Sequence, residues 1–130
     1  MSEINSKHYS SPPGWNTVTP RIVAHQAQQL VEFVKHVFGA TGEFQSDRPA
    51  IISIGDSMIM ISDAGAREPV TSFLYVYVAN TDETYQRALD SGAVSLEEPS
   101  DTPYGDHRGM VKDAWGNTWQ IATYKPKSST

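Results

Sequence analysis

Residues able to do chemistry are few in this chain, and they gather late. Tyr104-Gly105-Asp106-His107-Arg108 puts a carboxylate, an imidazole and a guanidinium in one short stretch. An Asp beside a His is enough for general acid–base work when a substrate lies within reach. Asp106 is placed to hold His107 or Arg108; the other reading is that Asp106 caps a turn and His107 is merely solvated. The remaining histidines carry less. His8 falls in a polar stretch, His25 at the end of a strand and His36 on the exposed side of a helix, all places where a polar residue is ordinary. The chain has no cysteine, which removes disulfides, thiolate catalysis and Cys-based zinc sites together. No Gly-rich phosphate loop, nucleophile elbow or convergent carboxylate pair appears. Asp82-Glu83 and Glu97-Glu98 fall at a helix start and a strand end and read as solvated.

Rings are the second group with chemical content. Phe73, Tyr75 and Tyr77 alternate along one run, so they share a strand face. With Arg21, Tyr104 and Gln120 they would line a hollow rich in rings and short of charge. Such a surface suits a flat aromatic or conjugated ligand, stacked on the rings and oriented by hydroxyls or a guanidinium. Arg21 is the only cation expected inside, so a carboxylate, phenolate or oxyanion on the ligand is expected. Strands also favour aromatics for packing alone, which is the competing explanation. Trp115 is expected at a hairpin tip, over the hollow or against another subunit, and Trp119 in the core.

The elements that would position these groups follow from periodicity and turn residues. A strand is expected over 18–24, interrupted by the missing N–H of Pro20. Leu30, Val31, Val34, Val37 and Phe38 form a helical stripe over 26–38 that Gly39 ends. Strands are expected near 42–45, over 50–54 and over 57–62, the last two joined by Gly55-Asp56. The programme then repeats: strand 73–78, helix 81–91 with Thr81 as its cap and Gly92 as its stop, a short strand 94–96, a long loop, and a closing hairpin of 110–112 with 118–123. Gly39-Ala40 matches Gly92-Ala93, and 54–60 matches 115–121. This is an internal duplication of a β-α-β-β-β unit. One unit is too small to bury its own sheet, so two are expected to pack as a single α+β domain, 17–124, made of modules 17–63 and 71–124. Residues 1–16 and 125–130 are expected to be flexible tails.

A net charge of −5 with scattered Lys and Arg argues against a nucleic-acid surface, which needs a basic patch. No apolar run approaches the roughly 18 residues of a membrane span. The first residues lack the basic-then-apolar layout of a signal peptide, so a cytoplasmic address is expected.

Two such modules, the second ending in Asp113-x-x-Gly116-Asn117, resemble the vicinal oxygen chelate superfamily of glyoxalases, bleomycin- and fosfomycin-resistance proteins and extradiol dioxygenases. The segments that carry the likeness are 33–40, 75–93, 104–106 and 113–123, and the last resembles a glyoxalase-like, bleomycin-resistance-like branch. The resemblance implies a curved mixed sheet from each module around a cup-shaped cavity, with Tyr104 to Arg108 at its rim. In metal-using members His, Glu or Gln side chains on the first and last strand of each module hold a divalent cation. Those positions map onto Thr19, Ile59, Phe73 and Gln120, of which Gln120 alone could ligate. Several donors must converge at about 2 Å on such an ion, so neither a metal nor another cofactor is expected. The resemblance therefore implies a metal-free small-molecule-binding protein that sequesters an aromatic or polycyclic compound on a face of rings and amides, as resistance proteins of the family do. The rival is a glyoxalase-like lyase or isomerase, or a dioxygenase, with His107 and Asp106 as candidate catalytic groups. The resemblance also implies a homodimer; neither nucleic acid nor membrane is an expected partner.

Overall fold

The computed structural model describes residues 8–126. The expected tails therefore fall outside it in residues 1–7 and 127–130. Seven strands and two helices run in the order β1 (Arg21–Ala24), α1 (Ala27–Phe38), β2 (Ala50–Ile54), β3 (Ser57–Asp63), β4 (Phe73–Tyr77), α2 (Thr81–Asp90), β5 (Val94–Asp101), β6 (Asp106–Lys112) and β7 (Thr118–Tyr124). They form two mixed sheets, ordered β1-β3-β2 and β4-β7-β6-β5. In each sheet the module's first strand lies parallel to its last, and the last pairs antiparallel with the strand before it. The duplication read from the sequence is thus a duplication of topology, and the fold is α+β.

Alternation decides which face each strand buries. Ile52, Ile59 and Ile61 in the first sheet, and Val111, Trp119 and Ile121 in the second, turn toward the helices and are almost or wholly buried. Leu30, Val31, Val34 and Val37 of α1 meet them with no exposed surface, as the helical stripe predicts. One core spans both modules. Phe38 of α1 lies 5.0 Å, centroid to centroid, from Trp119, and Arg87 of α2 donates through Nε and Nη2 to the carbonyl of Val37. That contact satisfies a helix-end acceptor of the other module.

Several expectations are corrected. β1 starts only at Arg21, because Pro20 has no N–H for a ladder; its carbonyl still accepts from Met60. The strand expected at 42–45 is reduced to two isolated bridges, Thr41 with Ser53 and Gln45 with Arg48. The cap of α2 is Asn80, whose side chain accepts from the Glu83 N–H at 3.1 Å. Thr81 is the first helical residue, and its hydroxyl donates to the His107 carbonyl. β5 is eight residues long and takes in Pro99, with register shifts after Ser95 and after Glu97. Pro99 is tolerated because β5 is the outer strand of its sheet. β6 begins at Asp106, four residues before the sequence pattern shows it.

The Asp113-x-x-Gly116-Asn117 signature is the fastening of the last hairpin. Asp113 accepts from the Trp115 and Asn117 N–H groups at 2.9 Å each, from the Asn117 amide at 3.0 Å and from the Trp119 indole at 2.8 Å. Asn117 has no exposed surface, and its side-chain carbonyl accepts from the Ser72 N–H at 2.9 Å. The turn is thereby tied to the residue that leads into β4. Gly116, at φ 93°, takes the left-handed conformation the turn requires.

Candidate functional site

The face of the second sheet that points away from the helices carries Phe73, Tyr75 and Tyr77, exposed by 68%, 37% and 60%. Tyr75 sits beside Gln120 and Tyr77 beside Ala122 on β7; Met110 and Arg108 follow in the same rows on β6. Ala122 lies on this outward face yet has no exposed surface. Being small, it leaves room for tyrosine side chains to lie across β7. The Tyr75 and Tyr77 hydroxyls both donate to one oxygen of Asp106, at 2.6 and 2.7 Å. The Asp106 side chain is nearly covered, the residue being 2% exposed. The two tyrosine rings are tilted against each other with centroids 5.3 Å apart.

The network continues outward. The Tyr104 hydroxyl is 3.3 Å from that of Tyr75 and accepts from Arg108 Nη1 at 2.8 Å. Arg108 Nη2 donates to Glu97 at 2.9 Å, while Arg108 Nε is buried without a partner. The loop that presents Tyr104 is closed by Thr102, whose hydroxyl accepts from the Asp106 N–H. Burial of the hydroxyl, and then its bond to Asp106, push the Tyr75 phenol above its ordinary value. For Tyr77 the bond to Asp106 is the leading cause of the same upward shift. Both phenols therefore stay protonated at neutral pH, with their hydrogens committed to the carboxylate. They offer ring faces and oxygen lone pairs, not a base.

Of the residues singled out by sequence, Tyr75, Tyr77, Tyr104, Asp106 and Arg108 meet in this network, with Phe73 and Gln120 on the same face. Three others are elsewhere. Arg21 belongs to the other sheet, where its Nε donates to the Ser62 hydroxyl at 3.0 Å. Trp115 turns to the helix side and packs edge-on against Phe33, centroids 6.0 Å apart. His107 follows Asp106 on β6, so its side chain points to the opposite face. There its Nδ1 lies 2.8 Å from Asp101 and its Nε2 3.1 Å from Asp82. Asp106 thus holds neither His107 nor Arg108. Asp82 and Glu97, read as solvated, each have a basic partner. The sequence pattern ends β5 at Leu96 and so leaves Glu97 outside it; the continuation through Pro99 has no signal in propensity.

The clamp on His107 ties β5 and the first turn of α2 to β6. Bonds to Asp101 first, then to Asp82, raise the imidazole pKa. A raised folded-state value means the stabilisation is complete below the unfolded value of about 6.5 and fades as pH rises through the folded value. His107→Gln should therefore lower the urea midpoint most near about pH 6, with the difference from the parent shrinking toward about pH 9. A pH-independent difference would show that the charge of His107 contributes nothing.

The residues present do not fit a metal at the superfamily position. Ile59 is 4% exposed and faces the core. It pairs with Ile52 as Trp119 pairs with Val111, so the outward residue of β3 is Met60, beside Arg21. The sequence match between the hairpins slips by one residue because the turn before β7 is longer than Gly55-Asp56. A thioether, an amide and rings on separate sheets are a poor set for a hard divalent ion. Among the described residues no three His, Asp or Glu side chains converge as a metal site would need.

A cleft of about 690 Å³ opens on the helix side of β4, walled by Phe38, Ile54, Ile59, Leu74, Val76 and Val78. Tyr75 and Tyr77 reach its rim, but Arg87 at its edge is already spent on Val37 and Thr84. The cleft supplies volume; the tyrosine face supplies groups that orient a ligand. Because β4 is the outermost strand of its sheet, the two meet along its edge. No helix among the described residues is long and apolar enough to cross a membrane.

Comparison with known proteins agrees with this architecture. The TioX protein of Micromonospora sp. ML1 superposes with a TM-score of 0.64 at 19% identity, covering 82% of this chain and 98% of that one. A glyoxalase/bleomycin resistance protein/dioxygenase family enzyme from Burkholderia phytofirmans gives 0.70 at 18%, over 80% and 94%. The fosfomycin resistance protein FosX of Mesorhizobium loti gives 0.64 at 14%, over 83% and 91%. At these identities the likeness is one of fold. An uncharacterized protein of Mycobacterium bovis is 31% identical over 93 residues, covering 72% of this chain and 58% of its own length. A counterpart in Mycobacterium tuberculosis is also 31% identical, with 52% of its length covered. The chain thus spans little more than half of these relatives. The family model for the Glyoxalase/Bleomycin resistance protein/Dioxygenase superfamily matches residues 16–121, and the chain belongs to that superfamily.

Proposed function

We propose that this chain is a metal-free small-molecule-binding member of the superfamily, which holds an aromatic or polycyclic compound against the tyrosine face of its second sheet. The observation that carries this reading is the pair of exposed, tilted rings of Tyr75 and Tyr77, both anchored on the nearly buried Asp106. Rings fixed from below lose little freedom when a ligand stacks on them, so less of the stacking energy goes into ordering them. The donor set at the superfamily metal position supports binding over metal-assisted chemistry. Sequestration of a toxic compound is the use such a face would serve.

One sheet face open to solvent encloses a ligand on one side only. A second copy of the chain is the proposed cover, joined at the edge of β4, whose outer row of backbone amides has no neighbouring strand among the described residues. The corresponding edge of β1 is partly closed by Val70, which exchanges both backbone bonds with Val23. Native mass spectrometry of freshly purified protein tests the whole reading at once. The expected spectrum is a dimer carrying an organic compound and no stoichiometric metal. A metal adduct that Gln120→Ala removes would transfer the chain to the enzymes of the superfamily.

A further inference from the structure

The charge of the ligand can be read from how the tyrosine face is built, given the ligand face argued above. An anionic ligand was the expectation when Arg21 stood among these rings, but Arg21 is on the other sheet and engaged with Ser62. The cation that does belong to the face, Arg108, is bound to Glu97 and to the Tyr104 hydroxyl. Its Nε is covered and out of reach of solvent. Lys112 shares the face only at the far end of β6, in the row of Thr118 and Phe73. Around Tyr75 and Tyr77, two carboxylates, Asp106 and Glu97, stand against one guanidinium.

The direction of the hydrogen bonds points the same way. Tyr75 and Tyr77 both donate to Asp106, so what their oxygens still present outward is lone pairs. A ligand that donates finds acceptors; a ligand oxyanion finds lone pairs above a buried negative charge. The ring faces add the negative side of their quadrupoles, toward which cations are drawn.

We infer that the tyrosine face selects an aromatic compound bearing a positive charge or a strongly donating N–H group, seated over Tyr75 and Tyr77 with Asp106 beneath them. Recognition is by cation–ring contact and by donation to the tyrosine oxygens. Asp106 acts through the tyrosines, as a positioning residue and a buried counter-charge.

Two acridines of the same ring size and opposite charge test this: 9-aminoacridine, a cation at neutral pH, and acridine-9-carboxylate. Titration calorimetry should show the cation bound about tenfold or more tightly. The preference should shrink as salt is added and in Asp106→Asn, while Arg21→Gln leaves it unchanged. The salt dependence needs no variant, so the test survives if Asp106→Asn fails to fold. Equal affinities, both lost in Phe73→Ala, would overturn the charge assignment and leave the ligand face standing. Tighter binding of the carboxylate, weakened by Arg21→Gln, would also overturn it. If neither acridine binds, or if Phe73→Ala affects neither, the ligand face itself is wrong and the charge assignment falls with it.

Discussion

Asp113→Ala should lower stability by about 3–5 kcal/mol, as much as truncating a large core side chain. Asp113 is 5% exposed and accepts from two backbone N–H groups, one side-chain amide and one indole. Bonds to a charged acceptor contribute about 1.5–3 kcal/mol each, though they do not add. Removing the carboxylate leaves the Asn117 and Trp119 donors buried without partners. It also loosens the Asn117 bond to Ser72 that aligns β4 with β7. The loss should appear as a fall in melting temperature of about 10–20 °C for a domain of this size. Asp113→Asn keeps the shape and one acceptor and should fall between the parent and the alanine variant. A loss below about 1 kcal/mol for Asp113→Ala would mean that the hairpin is held by packing of Trp119 alone.

The second large effect concerns binding. Phe73→Ala and Tyr75→Ala should each weaken a stacked aromatic ligand by about 1–3 kcal/mol, roughly 5- to 150-fold in dissociation constant. Phe73 is 68% exposed and contributes little to the core, so its effect on stability should be small and its effect on affinity clean. Tyr75 borders both the tyrosine face and the cleft, whereas Val76 lines only the cleft. The pattern across the three therefore locates the ligand. Loss at Phe73 and Tyr75 with Val76→Ala unchanged places it on the rings. Loss at Tyr75 and Val76 with Phe73→Ala unchanged moves it to the cleft on the helix side and removes the main support for the proposed binding mode. Either result is legible in one calorimetric series with 9-aminoacridine.

At His107 sequence adjacency points to one partner and the structure supplies two others. Tyr104, Asp106, His107 and Arg108 stand out in the sequence because ionisable groups cluster there, and each of them enters a polar network. Sequence adjacency suggested that Asp106 and His107 act together. On a strand, neighbours point to opposite faces, so Asp106 joins the tyrosines while His107 joins Asp82 and Asp101. By its sequence 106–109 reads as loop, because no local pattern marks a strand whose buried side includes Gly109 and whose outward side carries ions.

What the amino-acid order determined unaided is whatever repeats with a period. The α1 stripe, the alternation of Phe73, Tyr75 and Tyr77, the buried Trp119 and the duplicated topology all follow from spacing, because each periodicity commits a face before any partner is known. Tertiary structure decided what depends on offsets between distant segments. A one-residue offset between the two hairpins puts Met60, not Ile59, in the place matching Gln120. Arg21 is parted from the rings by the division into two sheets. A small Ala122 lets two tyrosines reach a carboxylate that lies 29 and 31 residues further along the chain. Register and reach are properties of paired strands, and no single stretch of the chain contains them.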